Sequence, residues 1–496
     1  MNKLFFLISF IFLAACAVGP DYVRPAVDAP KKFKEAPKGW KIATPSDSFN
    51  RGKWWEIFHD AQLNSLEESL NISNQTIATT IAQHEQAQAL VDEARAAYFP
   101  TLSTALSITR QKSSTSITST TTSAGASSNS SSTSTGTAAV SGSGGSSGPS
   151  TNNLLTLNAS WEPDLWGAVR RTVEASVANE QAVAAQLALV RLSSQASLAQ
   201  YYFELRGVDR DQKLLNETVN AYKEILKLTK DQYASGTAAL ADVVQAQSQL
   251  EVSQAQAINV GIARAQYEHA IAVLIGKPVA DFSLRAISYR TKIFKIPLEF
   301  PSEMLERRPD VAQAERLMAQ ASAQIGIAIS TYFPTITLTA SGSASAKSSI
   351  GNWIANPLYG WSLGVQAAET IFDGGLRNAT INAARANYRG LLATYRQTVL
   401  AAFQDVEDNL VSVRLLQQQQ NALDKAARDA KLSLKLVLDQ YRSGVVPFSS
   451  VMVAETNSFA AEKNAADVNY LRMTSTVGLI KALGGGWSVD QLHQTS

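Results

Sequence analysis

The sequence predicts a mixed fold: a membrane β-barrel shared between subunits, continued by a long α-helical coiled-coil barrel. The chain is internally duplicated, since the phrase DQYASG at residues 231–236 recurs as DQYRSG at residues 439–444. Gly276 and Gly484 keep the same spacing of 208 residues, so the two halves stay in register. Each half contains two short strand patterns and one very long helical pattern. Four strands per chain cannot close a membrane barrel, which needs about eight, and lipid tolerates no open edges. We therefore expect several chains to share one barrel.

Residues 1–15 predict an export signal that is removed from the mature chain. The apolar run at residues 4–13 has the length of a signal-peptide core and falls far short of the roughly 20 residues that span a bilayer. The only cysteine, Cys16, follows Leu-Ala-Ala in a pattern that resembles the lipobox of bacterial lipoproteins. Cleavage before Cys16 and its acylation are expected; the alternative is an unmodified, buried cysteine. By the sorting rule for such lipoproteins, Ala17 in place of an aspartate indicates the outer membrane.

The first repeat is predicted over residues 61–290, after a proline-rich tail at residues 16–60 that is expected to be extended. A Ser/Thr/Gly tract at residues 113–150 has almost no large apolar side chains, so a disordered loop is expected there. The predicted elements of this repeat are a helix over 61–97, strands over about 98–109 and 153–163, a long helix over about 168–234 and a helix over about 239–275.

The second repeat is predicted over residues 291–486, and residues 487–496 form a C-terminal tail. Near the start of its first strand, Tyr332-Phe333-Pro334 echoes Tyr98-Phe99-Pro100. The predicted elements are a helix over about 309–331, strands over about 333–346 and 358–371, a long helix over about 375–442 and a helix over about 447–483.

Several function classes are disfavoured by the composition. A formal net charge of +2 argues against a nucleic-acid partner, which needs a basic surface. The four histidines are scattered without metal-ligand spacing, and no nucleophile elbow or phosphate-binding glycine loop is present. We therefore expect no enzyme activity and no cofactor other than the lipid on Cys16.

The candidate functional residues lie at the two recurring helix ends. Gly236 and Gly444 are placed to end helices in a left-handed conformation, with Tyr233 and Tyr441 packing nearby. The residues after the two glycines differ between the copies: Asp242 stands six residues after the first glycine and Ser450 six after the second. An aspartate near a helix N-terminus is also favoured by the helix dipole alone.

Several motifs together resemble the TolC-type outer-membrane factors. The sequence ERRPDV at residues 306–311, followed by AER at 314–316 and by residues 328–334, is similar to the family signature. The sequences CAVGPDY at residues 16–22 and KWW at 53–55 resemble the lipoprotein (OprM-like) branch that partners resistance-nodulation-division efflux pumps. The resemblance covers nearly the whole chain apart from the Ser/Thr tract.

This resemblance implies a homotrimer with a twelve-stranded barrel in the outer membrane and a helical tunnel in the periplasm. It also implies a periplasmic adaptor and an inner-membrane pump as partners. The two turns would lie at the periplasmic tip, where they form the closed entrance and meet the adaptor. Family members often have aspartates near the second turn, where this chain has Ser450 and Val453. Asp242 is therefore the main acidic candidate, and Asp231 and Asp439 are secondary candidates. Apolar contacts of Val446 and Phe448 are expected to hold the entrance closed.

The function expected from these features is a passive exit duct for small molecules, with energy supplied by the partner pump. A type I duct for protein secretion would share the fold, although lipidation argues mildly against it. A trimeric surface stalk or adhesin displaying the Ser/Thr tract is the other alternative. Such a stalk would need neither duplicated strand-pair units nor a lipobox.

Overall fold

A computed structural model describes residues 18–26, 33–35, 53–112, 150–287, 307–347 and 357–487. Cys16, almost all of the Ser/Thr tract and the junction between the two predicted repeats lie outside these residues. Among the helices of the described ranges, none combines the length and the apolar character that crossing a membrane requires.

The two longest helices of the first repeat recur in the second with the same lengths. Helices α3 (Ala168–Ala234) and α6 (Leu376–Arg442) have 67 residues each, and α4 (Leu240–Leu274) and α7 (Phe448–Ala482) have 35 each. Corresponding helices begin and end 208 residues apart, and a 67-residue helix is about 100 Å long. The observed bounds differ from the predicted ones by at most one residue.

The helix predicted over 61–97 is instead two helices, α1 (Ala61–Ser73) and α2 (Gln75–Ala96). Asn74 separates them in an extended backbone conformation. Its side-chain oxygen accepts a hydrogen bond from the amide of Ile77 (2.9 Å), and its side-chain nitrogen donates to the carbonyl of Leu274 (2.7 Å). The break arises because Asn74 caps the start of α2 while bonding to the end of α4, a contact that sequence periodicity does not reveal.

Helix α5 spans Pro309–Ser330, with Pro309 as its first residue and Asp310 in its first turn. The buried Arg308 guanidinium bonds to Asp310 (2.6 Å) and Asp405 (3.1 Å) and to the carbonyl of Ala482 (3.1 Å). This motif therefore joins α5 to α6 and α7.

Within the described ranges, a four-stranded antiparallel sheet joins the two repeats. Its order is β1-β2-β3-β4, so the central β2–β3 pairing links the first repeat to the second. The first and third strands begin two or three residues later than predicted, directly after Pro100 and Pro334. The strands are β1 Thr101–Gln111, β2 Ser150–Trp161, β3 Thr335–Lys347 and β4 Leu358–Ala368.

The two faces of this sheet differ sharply in polarity. Leu363 lies opposite Ala340, and Val365 opposite Leu338, on one face. On the other face Ser362 lies opposite Ser341, and their hydroxyls are 2.8 Å apart. The apolar side continues with exposed residues along β1 and β4: Leu102, Leu106, Ile108, Tyr359 and Trp361.

The chain divides into two compact units, and neither corresponds to one repeat. The strand unit comprises the described parts of residues 95–170 and 329–377, and the helical unit most of the remainder. Both repeats contribute strands to the strand unit, where β2 of the first repeat pairs with β3 of the second, and both contribute helices to the helical unit. Within the helical unit a large apolar core surrounds Trp55, Tyr202 and Tyr395, and a smaller one surrounds Tyr222, Tyr441 and Phe448.

Candidate functional site

The two turns between the long and short helices close in the same way. In the first, the amide of Gly236 donates to the carbonyl of Tyr233 (2.9 Å) and the amide of Thr237 to that of Gln232 (2.9 Å). The second turn repeats both bonds from Gly444 and its successor. This is the Schellman arrangement, which satisfies the last carbonyls of each helix. Gly236 has φ of 79° and Gly444 has φ of 72°, so glycine is required there by backbone conformation.

The acidic candidate Asp242 has a local structural role. Its carboxylate accepts a hydrogen bond from the amide of Ala239 (3.2 Å) at the start of α4, where a negative charge also suits the helix dipole. Ser450 holds the equivalent place in α7, but the residue equivalent to Ala239 is Pro447, which has no amide hydrogen. The second copy therefore needs no acid at this position, which accounts for the difference between the repeats.

The other two acidic candidates lie in the last turns of the long helices and are exposed. The carboxylate of Asp439 lies 3.4 Å from the guanidinium of Arg442, and the backbone carbonyl of Asp231 accepts from Ser235 (3.1 Å).

The apolar candidates differ in how far they can face an aperture. Phe448 is only 2% exposed, and its ring centroid lies 5.8 Å from that of Tyr441. Val446 is half-buried and packs against the same cluster. Phe448 therefore contributes to the packing of the second turn inside the chain.

Tyr441 links the two repeats at these turns. Its hydroxyl donates to the side-chain carbonyl of Gln232 (2.5 Å) and lies 3.4 Å from the hydroxyl of Thr229. Tyr441 is 6% exposed, whereas its counterpart Tyr233 is 47% exposed. Sequence reasoning missed Gln232, although the recurrence of glutamine in both DQY phrases was a signal for it.

Together the paired turns bring Tyr441, Val446, Phe448 and the start of α4 against one apolar cluster. Among the described residues no group of three or more His, Cys, Asp or Glu side chains is arranged to hold a metal ion. Cys16, the predicted lipidation site, lies outside the described residues and remains a prediction.

Known proteins share both the sequence pattern and the fold. The sequence pattern of the family described as outer membrane efflux protein matches residues 66–277 and 300–485. The pyoverdine export outer membrane protein OpmQ of Pseudomonas aeruginosa is 29% identical, over 99% of this chain and 98% of that protein. The toluene efflux pump outer membrane protein TtgC of Pseudomonas putida is 27% identical, over 97% of this chain and 94% of that protein. Among solved structures, the outer-membrane channel OprN has a TM-score of 0.81 and 26% identity, covering 95% of this chain and all of that one.

Proposed function

Because this chain belongs to the outer membrane efflux protein family, we propose that it conducts small molecules passively as the exit duct of a tripartite pump. Membership makes it an efflux channel of the outer membrane. The finer assignments are ours: a homotrimer, a lipid on Cys16, a periplasmic adaptor and a resistance-nodulation-division pump as partners, and small molecules as cargo. Names of relatives such as OpmQ and TtgC, which refer to pyoverdine and toluene, support a small-molecule cargo.

The observation that carries the proposal is the two-faced sheet. One face presents Leu363, Val365 and their apolar neighbours, and the other presents serines, threonines and glycines. Lipid on one side and water on the other require this alternation in a membrane barrel. The sheet has two edges, β1 and β4, and edges exposed to lipid leave backbone groups unsatisfied. Three copies would supply twelve strands and pair every edge.

Adjacent residues on β4 provide a matched test. Lysine at Leu363 would place a charge on the face assigned to lipid, at a cost of about 2–4 kcal/mol near the bilayer centre. Lysine at Ser362 would place the same charge in the lumen. We expect Leu363→Lys to reduce the amount of oligomer in the outer membrane, and Ser362→Lys to assemble normally and shift channel selectivity toward anions.

The measurements are oligomer yield from outer-membrane fractions and reversal potentials in planar bilayers. Equal assembly of the two variants, without a selectivity change for Ser362→Lys, would contradict the assignment of the faces.

For the cargo, a deletion strain should gain susceptibility to several small toxic compounds while protein secretion is unchanged. Lost secretion with wild-type susceptibility would instead indicate a protein-secretion duct.

A further inference from the structure

An apolar groove crosses β2, β3 and β4 near the end of the sheet at which β1 and β3 begin. Its volume is about 370 Å³, within the range of small-molecule and cofactor sites. Two cross-strand rows line it: Trp161, Leu338 and Val365, and next to them Ala159, Ala340 and Leu363. Because the rows are two residues apart on each strand, both lie on the same face of the sheet. The groove therefore opens on the apolar face, which the proposed function assigns to lipid.

The groove arises from differences in side-chain size. Ala159 and Ala340 pair across β2 and β3, and their methyl groups leave a hollow between the longer neighbouring side chains. On the side nearer the strand starts, Trp161 flanks this hollow. A hydrogen bond from its indole nitrogen to the carbonyl of Tyr98 (3.0 Å) holds the ring in place. A fixed indole beside a pair of small side chains gives this part of the face a preformed concave shape.

The N-terminal segment meets the strand unit at this same end. The amide of Val18 donates to the carbonyl of Trp166 (3.1 Å). The indole of Trp166 in turn donates to the carbonyl of Pro334 (2.7 Å) and stacks on Phe333, with ring centroids 4.9 Å apart. Strand β3 begins directly after Pro334. Val18 is therefore held beside the start of a strand that forms the floor of the groove.

The distances allow a lipid on Cys16 to reach this groove. Cys16 lies outside the described residues and precedes Val18 by two positions, so the two Cα atoms are at most about 7 Å apart. Leu338 stands four residues after Pro334 on β3, a distance of about 14 Å at 3.4 Å per residue. An acyl chain that spans one leaflet of a hydrocarbon core of about 30 Å has a length of about 15 Å.

We propose that an acyl chain attached to Cys16 binds in this groove, against Trp161, Ala340 and Leu363. The inference rests on the proposed function, which places a lipid on Cys16 and this face of the sheet in the membrane, and it adds a protein site for that lipid. Lipid tails are as apolar as the groove, so the hydrophobic effect does not select the site. Selection comes from the concave shape and from the short tether, which keeps the chain beside the groove.

Photo-cross-linking in outer membranes tests the site. Cells are grown with a fatty acid that carries a diazirine at its terminal carbon, so that Cys16 and the membrane lipids both acquire the probe. After irradiation and proteolysis, mass spectrometry should find the N-terminal peptide joined through its lipid to a peptide containing residues 159–161 or 338–340. A membrane lipid in the groove would instead leave an adduct on these peptides without the N-terminal peptide.

Two substitutions on the same face of β3 form a matched pair. Ala340→Leu fills the hollow and should remove most of the conjugate between the N-terminal peptide and the sheet. Ala344→Leu adds the same side chain about 14 Å further along the strand and should leave the conjugate unchanged. Both variants should assemble like the unsubstituted protein, because an added apolar side chain on this face is compatible with lipid; oligomer yield from outer-membrane fractions checks this.

Adducts from membrane lipids alone, or equal yields of the conjugate from the two variants, would overturn the groove as the site of the Cys16 chain. An N-terminal peptide without lipid would refute the acylation of Cys16 and this inference with it. Conductance in planar bilayers separates these outcomes from failure of the duct. A conducting channel that lacks the conjugate refutes only the lipid site, whereas a cross-linked protein that never conducts supports the site and refutes the duct.

Discussion

Replacing Phe448 by alanine should loosen the second turn. The side chain is buried against Tyr441 in the smaller apolar core. Removing a buried phenylalanine costs about 3–5 kcal/mol, and each 1.4 kcal/mol is a factor of ten in an equilibrium constant. We therefore expect the population of locally opened turn to rise by about 10² to 10⁴-fold. Local opening of the second turn should also break the hydrogen bond from Tyr441 to Gln232, because the Tyr441 ring and the Phe448 ring pack in the same apolar cluster.

The assay is amide hydrogen exchange of peptides covering residues 440–456 in the solubilised oligomer, with channel current recorded in planar bilayers. Val445→Ala is the control, since Val445 is exposed in the same turn and such changes usually stay within about 0.5 kcal/mol. Exchange altered less than about threefold would refute the assigned packing energy. Faster exchange with an unchanged closed channel would show that these apolar contacts do not hold the entrance shut.

Three further predictions concern backbone, cap and pH. Gly444→Ala should lower the thermal midpoint by an amount equivalent to about 1–2 kcal/mol, because alanine is strained at a φ of 72°. A Cβ there would meet no neighbouring atom within 4 Å, so no steric clash adds to this cost. An unchanged midpoint would contradict the left-handed conformation. Asp242→Ala should destabilise the start of α4 by about 0.5–1 kcal/mol, because the hydrogen bond from the Ala239 amide is lost; hydrogen exchange of that amide measures the effect. Ser450→Ala should leave the start of α7 unchanged. Equal effects of the two substitutions would contradict the explanation that Pro447, which has no amide hydrogen, removes the need for an acid in the second repeat. Burial, with repulsion from a neighbouring aspartate, raises the pKa of Asp211 to about 6. At Asp211 the native state then binds more protons than the unfolded state between about pH 4 and 6, so the contribution of this group to stability falls as pH rises through that window. Asp211→Asn should remove this fall, seen as a decline in the thermal midpoint with pH. The same pH profile in the variant and the unsubstituted protein would refute the raised pKa of Asp211.

The long helices were predictable because their signals are local and repeated. Three-four spacing and terminal glycines locate α3 and α6 to within one residue. The break at Asn74 was not predictable, since its side chain bonds to the end of a helix 200 residues away in sequence. The same limit applies to Phe448: its type and position are visible in the sequence, but its burial depends on which helices pack around it.

By itself the sequence determined the duplication, the element types and the family, because each depends on spacing along the chain. Only the tertiary structure decided which copy of each repeated residue is covered. Tyr441 and Tyr233 stand in nearly identical phrases, yet one is buried against Gln232 and the other is exposed. The physical reason is that, among the described residues, α3 packs against α7, where Gly207 approaches the ring of Tyr470, while their counterparts Leu415 of α6 and Ile262 of α4 are exposed. The sequence repeats, and the environment of its two copies does not.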